Sequence, residues 1–207
     1  MADLAPLLGH TLLLTQLERA RSLGFLGPGP VTAHIEHTGA FLDALADTTG
    51  RIVDLGSGGG VPGLVIGVAR PDLEVVLLDA TAKRCRFLEE AVEVLALRAS
   101  VVEGRAEVVA HGPLRSTATA VVARSFGSPA ATAECAAPLL ALDGSLVVSE
   151  PPDPDPARWP TAGLARLGLA VGPRSASSPT VQTLRRVAEC PSNYPRRDGL
   201  PAKRPLF

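Results

Sequence analysis

Aromatic side chains are scarce in this chain of 207 residues: one Trp, one Tyr and five Phe. That scarcity argues against a surface that grips nucleic acid by stacking bases on rings, and it leaves the core to Leu, Val and Ala. Cysteine is rarer still. Cys85, Cys135 and Cys190 are odd in number, far apart in sequence and form no C-x-x-C pair. Buried or free thiols in a reducing cytoplasm are therefore expected. No apolar run approaches the ~18 residues of a membrane span. The opening MADLAPLLGH has no basic stretch ahead of an apolar one, so no signal peptide is read and a cytoplasmic location without a membrane partner is expected. Net charge is only −1, which removes any general attraction to polyanions. The charge is unevenly placed, however. Residues 185–207 carry six basic side chains against two acidic ones, on an otherwise acidic body. Such a tail is either a phosphate-binding element or a solvated end.

What is present is an ordinary globular balance of 46% hydrophobic and 20% charged residues, at a length that suits one domain. Leucines at helical spacing make residues 3–24 a predicted helix. GFLGPGP, residues 24–30, breaks it. TAHIEHTGAFLDAL, residues 32–45, reads as a second helix capped by Thr32, so residues 1–49 form an N-terminal helical extension. Strands RIVDL, EVVLLD, ASVVEG, ATAVVARS and GSLVVSE then alternate with helices GLVIGVAR, AKRCRFLEEAVEVLAL, RAEVVAHG and SPAATAECAAPLLAL, across a core of residues 50–150. This alternation predicts an α/β fold with a mostly parallel sheet covered on both faces. Residues 151–184 hold the proline-rich PPDPDPARWP, in which Trp159 reads as a packing anchor, and the start of a closing strand pair. Residues 185–207 complete the last strand and the basic tail.

The densest glycine cluster, IVDLGSGGGVPG at residues 52–63, lies between the first strand and its helix. Ligands of open α/β sheets bind at that position, where glycines let backbone N–H groups approach and the helix presents its positive end. Two patterns overlap there. Gly58, Gly60 and Gly63 fit the dinucleotide G-x-G-x-x-G. Asp54, Gly56, Gly58 and Gly60 fit [D/E]-x-G-x-G-x-G, typical of S-adenosylmethionine (SAM). A carboxylate at Asp54 repels pyrophosphate and suits a cationic sulfonium and ammonium, so SAM is the expected cofactor. Asp79 closes the second strand 19 residues after Gly60, the position from which an acidic side chain accepts ribose hydroxyls. His34 and His37 lie three apart on a helix, but no third ligand accompanies them and no metal is expected.

With these residues in view, the chain resembles the bacterial small-subunit (16S) rRNA methyltransferase G family, also called glucose-inhibited division protein B. DLGSGGGVPG resembles the family's D-L-G-S-G-x-G-x-P-G. Lys83, Arg84, Phe87 and Leu88 resemble its K-R-x-x-F-L. GRAEVV, VVARSFGSP and NYPRRDGLPAKRPL resemble its G-R-A-E, its S-R-A strand end and its closing Y-P-R-K-x-G-x-P-x-K-x-P-L. The resemblance implies a Rossmann-like class I methyltransferase with seven strands. It implies SAM contacts at Gly56, Val61, Ala106, Glu107 and Arg124, beside the residue-level candidates Asp54, Gly58, Gly60 and Asp79. It further implies methylation of a guanine N7 in rRNA. That nitrogen has a free lone pair, so no general base is needed and Arg124 is read as a substrate-positioning residue. Lys83, Arg84, Arg196, Arg197, Lys203 and Arg204 are the candidate RNA contacts. The partner is 16S rRNA or the small subunit, and a monomer is expected.

The substrate half departs from the family. There is no clean N-L-T near the N-terminus, the family's D-S is His37-Thr38, and L-K-G is replaced by VVSEPP, which puts Glu150 where the family carries a cation. A paralogue acting on a small molecule or another RNA therefore stays open. An NAD-dependent oxidoreductase, opposed by Asp54, and a non-catalytic SAM- and RNA-binding protein are the remaining alternatives.

Overall fold

The computed structural model describes residues 2–175 and 179–207. Seven strands form one sheet: β1 Arg51–Leu55, β2 Glu74–Asp79, β3 Ala99–Glu103, β4 Ala118–Ala123, β5 Leu140–Ser149, β6 Leu169–Arg174 and β7 Val181–Arg186, in the order β3-β2-β1-β4-β5-β7-β6. The first five are mutually parallel, with Ile52 beside Val75 on one side and Ala120 on the other. β7 runs antiparallel to both β5 and β6. The order reverses between β1 and β4, which opens a crevice at the carboxyl ends of the central strands.

Buried on both faces, the central strands read as nearly continuous apolar runs. Successive side chains alternate faces. Ile52, Val75, Leu77, Ala120 and Val122 therefore enter one core cluster. Val53, Leu55, Val76, Leu78, Val121 and Ala123 enter the other. Helices α1 Ala5–Leu8, α2 Thr11–Ser22, α3 Val31–Ala44, α4 Gly63–Ala69 and α5 Ala82–Val94 supply apolar side chains to the first cluster. Helices α6 Ala106–Val109, α7 Pro129–Ala136 and α8 Thr161–Ala165 supply the second, which Leu206 and Phe207 also join. Last in the chain is α9 Leu200–Lys203.

The predicted N-terminal helix is two helices. α1 ends at Gly9, and His10 caps α2 by accepting from the Leu13 N–H. α3 begins after Pro30, not at a Thr32 cap. The predicted helix over 128–142 ends sooner: Pro138 sits in a 3-10 turn, Ala137–Leu139, and Leu140 already belongs to β5. Helices α1, α2 and α3 are no appendage, because Leu13, Leu17, Ile35 and Phe41 are fully buried in the same cluster as the strands. Trp159 packs into the second cluster. All three cysteines are buried and free. No helix among the described residues is long and apolar enough to cross a membrane.

Candidate cofactor and substrate cleft

The turn after β1 is built around two carboxylates. Asp79, at the end of β2, accepts the Gly58 N–H through Oδ2 at 2.9 Å and the Thr81 N–H through Oδ1 at 2.9 Å. The Leu78 carbonyl accepts the N–H groups of Gly56 and Ser57. The loop is thereby tied across to β2, and each Asp79 oxygen keeps a lone pair for a further donor. Gly56 has φ +75°, and a Cβ there would lie 2.7 Å from the Phe126 ring.

Asp54 does something other than the sequence suggested. Its carboxyl is buried beneath the loop and accepts the Gly63 N–H at 3.1 Å. A Cβ at Gly63 would come within 2.5 Å of that oxygen, so glycine is required for the close approach. Burial pushes the Asp54 pKa up to about 7, against the pull of hydrogen bonds from Ser57 and Gly63. The expectation that Asp54 meets the cofactor is therefore corrected: it staples the loop to the start of α4, and near neutrality much of it carries no charge. Gly60 likewise packs on Leu64, and the cavity walls are made by its neighbours.

Three cavities adjoin at the carboxyl ends of the strands. The first, about 730 Å³ of empty space including its open mouth, has Asp79, Ala106, Glu107, Phe126, Ala131 and Pro201 among its walls. Gly56 is shared with a second, which includes Phe25, Gly58, Val61, Arg84 and His34. Arg124 and Ser125 divide the second from a third, which includes His37, Thr132, Glu150 and Arg158. The set thus offers a half-apolar slot with acceptors, a backbone-lined turn, and a polar chamber beyond a cation.

Arg124, just past β4, donates through a guanidinium N–H to His34 Nδ1 at 2.8 Å. Arginine has no acceptor, so His34 accepts there as a neutral ring. Burial first, and Arg124 second, lower the His34 pKa. The same causes, with His34 added, lower His37 to about 4.

These observations set the frame for comparison with known proteins. A family model described as "GidB: rRNA small subunit methyltransferase G" matches residues 31–150. The Roseiflexus castenholzii ribosomal RNA small subunit methyltransferase G is 36% identical over 183 residues, 81% of this chain and 78% of that one. Its counterpart from Rubrobacter xylanophilus is 33% identical over 95% of this chain and 81% of its own length. The chain belongs to the rRNA small-subunit methyltransferase G family. Solved structures agree on the fold. The antibiotic-resistance methyltransferase Kmr superposes with TM-score 0.55 at 14% identity, over 73% of this chain and 93% of its own. A 16S rRNA (adenine(1408)-N(1))-methyltransferase from Catenulisporales acidiphilia does so at 0.54 and 22%, over 74% and 92%. The architecture is that of class I methyltransferases.

For this methyltransferase G family member, Gly56, Gly58, Val61, Asp79, Ala106, Glu107 and Arg124 all line the joined cavities. Lys83 and Arg84 lie over the Phe25 ring at 5.6 and 6.0 Å, and Arg84 is 3.7 Å from Asp79. Arg197, Lys203 and Arg204 are exposed. Arg196 differs from these in being engaged within the fold. Its side chain and backbone donate three hydrogen bonds to Glu134, which is 0% exposed. Glu150 is also occupied: it accepts the Trp159 indole N–H at 2.6 Å, and Arg158 pairs with it at 2.9 Å. The Arg158 guanidinium thus offsets the carboxylate that VVSEPP places at the rim. Sequence reasoning missed Phe25, Phe126, Pro201 and the roles of Glu134 and Arg158; Phe126 follows Arg124 by two residues, and the others depend on tertiary packing. No group of three or more His, Cys, Asp or Glu among the described residues is arranged to hold a metal.

Proposed function

We propose that this chain transfers a methyl group from SAM to N7 of a guanine in 16S rRNA. The observation that carries the reading is the placement of Arg124. It stands between the glycine-turn cavity on one side and a polar chamber on the other, in a chain of the methyltransferase G family.

The residues fit the cofactor. Asp79 keeps acceptor capacity for ribose hydroxyls, and Phe126, Leu78 and Ala131 give apolar walls for a purine. Gly56 lets the Phe126 ring pack directly against the turn, where any Cβ would strike it. Glu107 and the Ala106 backbone can address the purine edge. When bound, SAM supplies a sulfonium methyl group, an electrophile for the lone pair of a neutral ring nitrogen.

The chain's own task is then positioning. No residue has to remove a proton, because guanine N7 carries none. His34 holds the Arg124 guanidinium at a fixed place in the wall, where it can bind a phosphate or the incoming base. Phe25, Lys83 and Arg84 form a cationic lip at the mouth of the turn cavity. Exposed Arg197, Lys203 and Arg204 extend it as phosphate contacts.

The test is transfer of labelled methyl from SAM to small-subunit rRNA from a strain lacking this methylation, with the product mapped to guanine N7. Arg124→Ala should abolish transfer. Calorimetry with S-adenosylhomocysteine and with NAD accompanies it. If the protein binds S-adenosylhomocysteine yet labels neither free rRNA nor the assembled subunit, a small-molecule methyltransferase or a non-catalytic binder replaces this reading. Binding of NAD alone would sink it.

A further inference from the structure

The C-terminal segment 194–204 runs across the first cavity, and its attachments are specific. Arg115 donates to the carbonyls of Tyr194 and Cys190 at 2.8 and 3.1 Å. His111 Nε2 lies 2.8 Å from the Pro195 carbonyl. Arg196 grips the buried Glu134 of α7. Two residues later Asp198 pairs with Arg105 at 2.9 Å. The Gly199 N–H then donates to Glu107 Oε1 at 3.1 Å, the same oxygen that Arg105 meets. The turn at Gly199 uses φ +71°, and the next residues, Pro201 and Ala202, are walls of the cavity that also holds Asp79 and Phe126.

The same short segment has a second side. Arg197, Lys203 and Arg204 are exposed, while Pro201 is buried. One element therefore contributes wall to the cofactor cavity and cations to the outer surface. It is also fastened at Glu107, a residue of the cavity itself.

From this geometry we infer that segment 196–204 is an integral part of the nucleoside-binding site and couples cofactor binding to RNA binding. The inference rests on the reading of the cleft as a SAM site. A ligand in the cavity presses on Pro201, Ala202 and Glu107 and so favours the docked tail. The docked tail in turn holds Arg197, Lys203 and Arg204 in one arrangement for phosphates. Linkage makes the effect reciprocal: RNA that favours the docked tail tightens cofactor binding by the same factor.

Two variants test this on the full chain. Gly199→Pro removes the N–H that Glu107 accepts and cannot adopt φ +71°. Glu134→Leu combined with Arg196→Met removes the anchor without leaving a buried charge unpaired. Circular dichroism and melting establish that each is folded. Calorimetry should show S-adenosylhomocysteine binding weakened about tenfold in each, and in the parent protein S-adenosylhomocysteine should tighten small-subunit rRNA binding by about fivefold or more. Hydrogen exchange at the Gly199 amide should slow when S-adenosylhomocysteine binds. Folded variants with parental affinity for S-adenosylhomocysteine would overturn the inference, as would an rRNA affinity indifferent to it. A parent protein that binds no S-adenosylhomocysteine overturns the cofactor reading as well, which separates the two failures.

Discussion

Gly56 shows how much one missing Cβ contributes. Its left-handed φ costs an L side chain roughly 1–2 kcal/mol, and a methyl there also strikes the Phe126 ring. Gly56→Ala should lower the melting temperature and weaken S-adenosylhomocysteine binding at least tenfold; calorimetry that finds unchanged affinity refutes the role given to this turn. Asp54 makes a different prediction. Its pKa is about 7 folded and 3.8 as a free side chain, so the folded state holds a proton that the unfolded state releases between those values. The stability this gives is fully present below about pH 4 and is lost as pH rises through about 7. His37, lowered to about 4, acts oppositely: its contribution is present above pH 6.5 and is lost as pH falls toward 4. Asp54→Asn should therefore flatten the decline in melting temperature between about pH 4 and 7 while keeping the acid-side loss from His37. A parallel pH profile in parent and variant would contradict the burial argument. The sequence made Asp54 prominent for its charge. Its actual work depends on Gly63 and Leu77 closing over it, which spacing alone does not express.

At the scale of elements, the strands were the most legible part. β1, β2 and β4 announce themselves as apolar runs because both their faces are covered, and the end of such a run locates Asp79 at the close of β2. Boundaries set by competition were less legible. Leu140–Leu142 continues a helical pattern in sequence, yet pairing with β4 draws it into the sheet. The basic end is legible in sequence as a cluster of charge, but Arg196 within it is held by Glu134. Counting cations cannot tell Arg196 from Arg197; only the buried Glu134 on α7 separates them. Arg196→Met alone should cost about 3–5 kcal/mol, because it strands that carboxylate, whereas the double change with Glu134→Leu should recover most of the loss. Denaturant unfolding of the three variants checks this; an additive double mutant would mean that the pair contributes no coupling.

For the molecule as a whole, the small net charge conceals an asymmetric surface. Removing Arg197, Lys203 and Arg204 together should reduce the salt dependence of rRNA binding, lowering the magnitude of the log–log slope by about 2. An unchanged slope would place the RNA elsewhere. The sheet's two faces also divide the chain unequally. One is closed by helices that precede and follow β1, the other by later helices and the last residues. Residues 25–27 and residues 201–202 thus end up as opposite banks of one joined cleft. During synthesis the first bank leaves the ribosome long before the second, and the core strands are complete while the cleft still lacks a wall. A chain arrested before Pro201 should therefore fold its sheet yet bind S-adenosylhomocysteine more weakly than the full chain, because one bank of the cavity is missing.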